Sequence, residues 1–174
     1  MPNDAEARAR LVHLLLDQSQ SDAALAELDR LDAGRQPTIE SLKLRADVQI
    51  AGKKWDDSIV TLQQALALAP NDAQLHALHG LALAYLGRKA EAVGEGQRAL
   101  ALRPITKDAL QGSYDQHQLA RIYLLVGEPE KALNELEPLL KIPYYLSPGW
   151  LKIDPTFDPL RKNPRFQKLV AGTP

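Results

Sequence analysis

The chain contains no cysteine. That excludes a disulfide framework, a thiolate metal site and a cysteine nucleophile, although it does not fix the compartment. Aromatic residues are scarce, at 5%. Charge of one sign is also missing: 21 Lys+Arg stand against 22 Asp+Glu, a formal net charge of -1. No global positive field is available for non-specific nucleic-acid binding. Long apolar runs are absent. Leu14-Leu15-Leu16 is bounded by His13 and Asp17, and Ala65 to Ala69 ends at Pro70. Both fall far short of the ~18–20 residues that span a bilayer, so no membrane insertion by this segment is expected. The start, Met1-Pro2-Asn3-Asp4-Ala5-Glu6, lacks the basic and apolar regions of a signal peptide. β-Branched residues are sparse and no segment alternates with period two, which argues against a sheet.

What is present is leucine and alanine. Leu occurs 31 times and Ala 24 times in 174 residues. Both favour helices, so they must build most of the core. With 45% hydrophobic and 25% charged residues the composition is that of a folded chain.

A repeat organises these residues. Pro2-Asn3-Asp4-Ala5 recurs as Pro70-Asn71-Asp72-Ala73, two periods of 34 apart, and Thr38 stands at the midpoint as a helix N-cap. Each unit reads as two helices. In the clearest one, Leu75, Leu78, Leu81, Ala82 and Tyr85 have helical spacing, Gly87 breaks the helix, and Lys89 to Leu102 follows until Pro104. The second unit predicts helices over 39–51 and 56–68 with a break at Gly52, and the first over 5–17 and 21–31.

This pattern resembles the tetratricopeptide repeat, a 34-residue helix–turn–helix unit. Leu78, Gly80, Gly87, Ala92, Ala99 and Pro104 match it closely in unit three, and Ala46, Ser58, Ala65 and Pro70 fill the same places in unit two. Unit one departs from it, with Val12 and Leu31 where small residues are usual. A fourth unit runs from Ser113 through Leu119, Ala120, Tyr123, Gly127, Ala132 and Leu136. Small residues at such places let helices approach closely. The expected fold class is therefore all-α, a right-handed superhelix of about four helix pairs over residues 1–142. Its repeats are placed at about 5–38, 39–72, 73–106 and 113–142, with 107–112 as a longer connector.

From residue 143 the character changes. Ser147-Pro148, Asp154-Pro155, Asp158-Pro159 and Asn163-Pro164 each set a capping side chain before a proline. Short helices are expected at about 148–153, 158–162 and 164–171. Trp150, Phe157, Leu160, Phe166 and Leu169 should lie over the last repeat, making 143–174 an end cap. Arg161, Lys162, Arg165 and Lys168 read as a solvated cap surface. The stretch from Pro104 to Phe166 is also similar to the C-terminal ends of bacterial repeat regions fused to serine/threonine kinases, winged-helix regulators and nucleotide cyclases. That resemblance implies a sensory or scaffold region of a larger signalling protein. Pro2-Asn3-Asp4 looks like the end of a preceding repeat, so a longer parent chain is expected.

Chemistry is scarce. Gly94-Glu95-Gly96 lies in a helical pattern and lacks the strand-to-helix setting of a phosphate loop; its small residues suit close packing. His76 and His79 share a helix face, yet the sequence near them completes no ligand set, and His79 takes a packing place. No catalytic residue, cofactor site or metal site is assigned, and an enzyme is not expected. What remains is a surface for a protein or peptide partner. In the resembled family the first helices line a concave groove. Carried onto this chain, the groove residues are Arg10, His13 and Asp17, then Lys43, Asp47 and Ile50, then Gln74, Leu78, Leu81 and Tyr85, then Tyr114, His117, Arg121 and Leu125. A homodimer through the solenoid ends or the groove is the alternative. Chaperone-binding members of the family clamp a C-terminal carboxylate with Lys and Asn. Here those places hold Ala9, His13, Leu44, Gln74 and Leu78 or, shifted by one unit, Lys43, Asp47, Leu78, Tyr114 and Gln118, and neither set forms that clamp. Calorimetry with a chaperone tail peptide should accordingly show no low-micromolar binding.

Overall fold

The computed structural model describes residues 2–171. All its regular structure is helical. Four helix pairs follow one another: α1 (Pro2–Asp17) with α2 (Ser21–Asp32), α3 (Ile39–Ala51) with α4 (Trp55–Leu68), α5 (Ala73–Tyr85) with α6 (Lys89–Leu102), and α7 (Ala109–Leu125) with α8 (Pro129–Leu139). Each second helix also packs on the next first helix, and α5 touches both α3 and α7. This is an all-α solenoid of the tetratricopeptide type. Beyond it lie α9 (Pro148–Ile153), a 3-10 turn (Pro155–Leu160) and α10 (Pro164–Ala171).

Local chemistry sets the starts and stops. Thr38 and Ser41 form a reciprocal capping box at 3.0 and 3.1 Å, so Thr38 is the N-cap that the sequence implies. Asp72 caps α5 by accepting from the Leu75 amide at 3.1 Å, and Asp108 caps α7 by accepting from Leu110 and Gln111 at 3.1 and 2.9 Å. The turns within the pairs place one residue each in the left-handed region: Ser19, Lys53, Gly87 and Gly127. The first three are 34 residues apart, and the fourth follows 40 later. In unit two this conformation falls on Lys53 and not on Gly52, as the glycine break had suggested. Gly52 instead lies against Ser21, where an added Cβ would come within 2.9 Å of the Ser21 Cβ.

The expected alanines lie at the contacts. Ala24, Ala46, Ala65, Ala92, Ala99, Ala120 and Ala132 are all fully buried. The tightest junction joins α5, α6 and α7. A Cβ on Gly80 would stand 2.8 Å from the Ala92 carbonyl oxygen and 2.9 Å from Ile122 Cδ1. One on Gly96 would stand 2.8 Å from Leu119 Cδ1 and 2.9 Å from Ile122 Cδ1. The packing role expected of the Gly94-Glu95-Gly96 stretch thus belongs to Gly96, since Gly94 faces open space.

Three expectations need correction. The extra residues 107–112 are not mainly a loop, because α7 already starts at Ala109. Gly112 permits this: its missing Cβ leaves room for the Arg103 carbonyl and Ile105 backbone, 2.8 Å from where that atom would sit. In the tail the middle helix begins at Pro155 and is 3-10, because Asp154 caps it through the Thr156 amide at 2.8 Å. Trp150 is exposed, and its neighbour Leu151 takes the buried place. Phe157, Leu160 and Phe166 do pack on the last repeat, sharing a core with Leu119, Tyr123, Leu133 and Leu136. Arg165 stitches α10 to α8 through Glu137 at 2.6 Å and Glu130 at 3.3 Å.

The two helical glycines predict opposite outcomes. Gly80→Ala should destabilise the fold by about 1–2 kcal/mol, because overpacking against backbone outweighs the gain in helix propensity. Gly94→Ala meets nothing and should stabilise by about 0.5–1 kcal/mol. Chemical denaturation of the two variants checks both, and equal effects would contradict the junction.

Candidate functional site

The first helices α1, α3, α5 and α7 present one common face. Two open cavities lie along it. The larger, about 560 Å³, is lined by Ala9 and His13 of α1, by Lys43, Leu44 and Asp47 of α3, and by Gln74 of α5. Leu31, Asp32, Arg35 and Thr38 form its rim. The smaller, about 240 Å³, is lined by Gln74, Leu110, Gln111 and Tyr114, together with Tyr144 and Tyr145 from the segment after α8. Gln74 belongs to both, so the two are neighbours along one groove.

The proposed groove residues divide accordingly. His13, Lys43, Asp47 and Gln74 meet around the larger cavity, and Tyr114 joins Gln74 at the smaller one. Arg10 instead borders a shallow depression on the outer side of α1 with Leu11 and Leu14, and pairs with Glu6 at 2.6 Å. Asp17, Ile50, Tyr85 and Leu125 stand at the last turns of their helices and line neither cavity. Tyr85 stacks on Trp55 with centroids 3.9 Å apart and planes 7° from parallel. Leu78 and Leu81 are buried, at 3% and 2% exposure, and belong to the core. The reason is the position of α5 between α3 and α7, which closes over its middle turns. His117 is buried as well, beneath Tyr144, Tyr145 and Phe157, whose rings lie 6.2, 5.6 and 6.2 Å from its own. Arg121 is half-buried and donates to Gln118 at 2.9 Å.

Electrostatics sharpen the picture. Lys43 pairs with Asp72 at 2.5 Å, which ties α3 to the cap of α5. Burial raises the Asp47 carboxyl to about 6, against the opposing pull of Lys43. Burial likewise lowers His117 to about 4, so its imidazole is neutral at physiological pH while Nδ1 shares a 2.6 Å hydrogen bond with the Tyr145 hydroxyl. Tyr144, Tyr145 and the rim residues Leu31, Asp32, Arg35 and Thr38 were not legible as site residues. Leu31 and Asp32 close α2 and the others belong to linkers, whereas family register assigns groove places only to first helices. A usable signal was the tyrosine pair itself, set among prolines where a bare connector would carry polar residues.

A second polar cluster lies between α5 and α6. His76 Nδ1 is 2.5 Å from Glu95 Oε2, and His79 Nδ1 is 3.6 Å from it. Arg98 Nε donates to His76 Nε2 at 3.1 Å. The sequence separated the histidines from any carboxylate, yet folding supplies Glu95 from the next helix. Among the described residues no group of three such side chains is arranged to hold a metal ion.

No family model matches the chain, and no curated protein matches it. Solved structures do. It is similar to a structure titled MamA 41-end from Desulfovibrio magneticus RS-1, with 18% identity and a TM-score of 0.62 over 80% of this chain and 75% of that one. Similarity to MamA AMB-1 is 20% in identity with a TM-score of 0.58, over 79% of this chain and 78% of that one. MamA MSR-1 gives 22% and 0.56, over 79% and 75%. At these identities the likeness is one of fold.

The Glu95 cluster yields a pH dependence. The His79 imidazole, 3.6 Å away, and the 2.5 Å hydrogen bond with His76 hold the Glu95 carboxyl down to about 2 from an ordinary 4.5. A folded-state value below the unfolded one means stabilisation that is full above about pH 4.5 and disappears as the pH falls toward about 2. Glu95→Gln should therefore lose about 1–2 kcal/mol at pH 7, a figure reduced for partial solvent access. The gap between variant and native protein should close on acidification toward pH 2, as read by urea denaturation at stepped pH.

Proposed function

We propose that this chain is a protein–protein interaction module that binds a partner segment in its concave groove, and that it has no catalytic role. The observation carrying this reading is the open 560 Å³ cavity at the N-terminal half of the groove, where side chains of three successive first helices converge. Ala9 and Leu44 supply apolar floor there, while His13, Lys43, Asp47 and Gln74 offer hydrogen-bonding and charged groups. That mixture suits an extended peptide or a helix, whose side chains find alternating apolar and polar places. Residues 1–142 are the binding solenoid in this reading and 143–174 its cap. The similarity of 104–166 to repeat regions of bacterial kinases, winged-helix regulators and cyclases supports a regulatory or scaffold role within a larger signalling protein.

Self-association is a second reading, favoured by one observation. Leu14 is 58% exposed and Leu11 40% exposed on the outer side of α1, beside Ala7. Burying such a strip against a second copy would gain about 25 cal/mol per Å² of apolar surface.

Selection of peptides from a random display library on the purified chain tests the first reading. Enriched peptides should lose at least tenfold in affinity to Gln74→Arg, which places a long cation between the two cavities. They should bind Val60→Arg, altered on the exposed side of α4, as they bind the native protein. Enrichment of peptides insensitive to Gln74→Arg would sink the groove. Light scattering from low to high protein concentration addresses the second reading, which a persistent monomer removes.

A further inference from the structure

At the C-terminal half of the groove three tyrosines from two parts of the chain meet. Tyr114 comes from α7, whereas Tyr144 and Tyr145 come from the segment between α8 and α9. The cavity that they line with Gln74 measures about 240 Å³. That is below the roughly 300 Å³ at which small-molecule sites begin, so its natural occupant is a single side chain. The Tyr144 and Tyr145 rings lie 4.4 Å apart, tilted by 47°. Tyr145 is 58% exposed but anchored through its hydroxyl to His117. Burial raises the Tyr114 and Tyr144 phenols above their ordinary range, so both rings stay neutral.

The charges around this pocket are unevenly satisfied. Asp72 is paired with Lys43, and Asp115 accepts two hydrogen bonds from Arg103 at 2.8 and 3.0 Å. Arg121 lies two turns along α7 from Tyr114, donates to the neutral Gln118 amide, and acts on Tyr114 with a charge opposite to that of Asp47. Asp47 differs from these. It lines the adjoining cavity beside Gln74 and one turn from Lys43, whose charge opposes its own, and no hydrogen bond or ion pair reaches it among the described residues. A half-buried carboxylate without a partner favours a cation brought by a ligand. Tyrosine faces attract the same charge through their quadrupole.

The geometry points to a receptor for a cationic side chain: a lysine or arginine of the bound peptide enters the Tyr114–Tyr144–Tyr145 pocket, next to the Asp47 carboxylate. This assignment rests on the concave face being the peptide groove. It deepens that reading by naming the chemistry of the partner, a segment with a basic residue where it crosses from α5 to α7.

The test is a nuclear magnetic resonance titration of the whole chain with three decapeptides of one sequence. In the first, alternate positions are lysine; in the second, acetyl-lysine; in the third, glutamate. The lysine peptide should shift the amides of Gln74, Tyr114 and Tyr145, and bind about fivefold or more tighter than its acetylated form. Asp47→Asn and Tyr145→Ala should each remove most of that advantage. The first is isosteric and should keep the native melting curve; the second also loses the hydroxyl bonded to His117, so Tyr145→Phe, which loses that bond but keeps the ring, should retain the lysine preference. Equal binding by native and both variants would overturn the inference, as would shifts confined to Asp22 and Asp29 on α2. If the glutamate peptide shifts the pocket instead, the groove survives and the cation assignment falls. If no peptide moves any residue of the concave face, both fall together.

Discussion

The close approach of α5, α6 and α7 is the contact on which the rest depends. It is made possible by the hydrogen atoms that stand for side chains at Gly80 and Gly96. The Ala92 carbonyl, Leu119 and Ile122 occupy the space that those side chains would need. Because α5 lies against α3, α4, α6 and α7, the spacing at this junction is passed to both neighbouring units. It also decides what the concave face can show. A wider junction would leave Leu78 and Leu81 accessible as groove floor; at this separation they are core.

Polar groups then fix which parts of the face stay open. Asp72 serves twice, capping α5 through the Leu75 amide and pairing with Lys43 of α3. A helix start and an inter-repeat bridge are thereby one structure, at the side of the larger cavity that Lys43 lines. Asp115, within α7, bridges back to Arg103 at the end of α6. Its side chain is fully buried, and the two-pronged contact from Arg103 compensates a charge that would otherwise be costly there. The connector between α6 and α7 is held to α7 by that pair and by the glycine at position 112.

The segment after α8 does more than end the array. Its hydrophobic residues complete the core of the last repeat, and its two tyrosines form a wall of the groove. A solenoid end must cover the apolar face that a further repeat would have buried. Here Phe157, Leu160 and Phe166 do so, and Arg165 ties them to α8. The phenylalanines near the C-terminus are therefore buried, while Tyr144 and Tyr145 form a half-open cavity wall.

The periodicity of this sequence by itself determined the helices, their pairing and the contacts at Ala46, Ala65, Ala92 and Ala99. These depend on local preferences and on side-chain size, which a 34-residue register repeats at fixed places. The caps at Thr38, Ser147 and Asp154 were legible for the same reason, since a capping side chain and the amides it serves are two or three residues apart. Only the tertiary structure decided which groove places are open. His117 and Leu78 occupy the same register as residues that do face the groove, and what covers them comes from distant parts of the chain. The meeting of His76 with Glu95, and of Tyr114 with Tyr145, likewise joins residues 19 and 31 positions apart on different elements. No local pattern encodes such a meeting, because it is set by how closely the helices pack and by where the chain turns back.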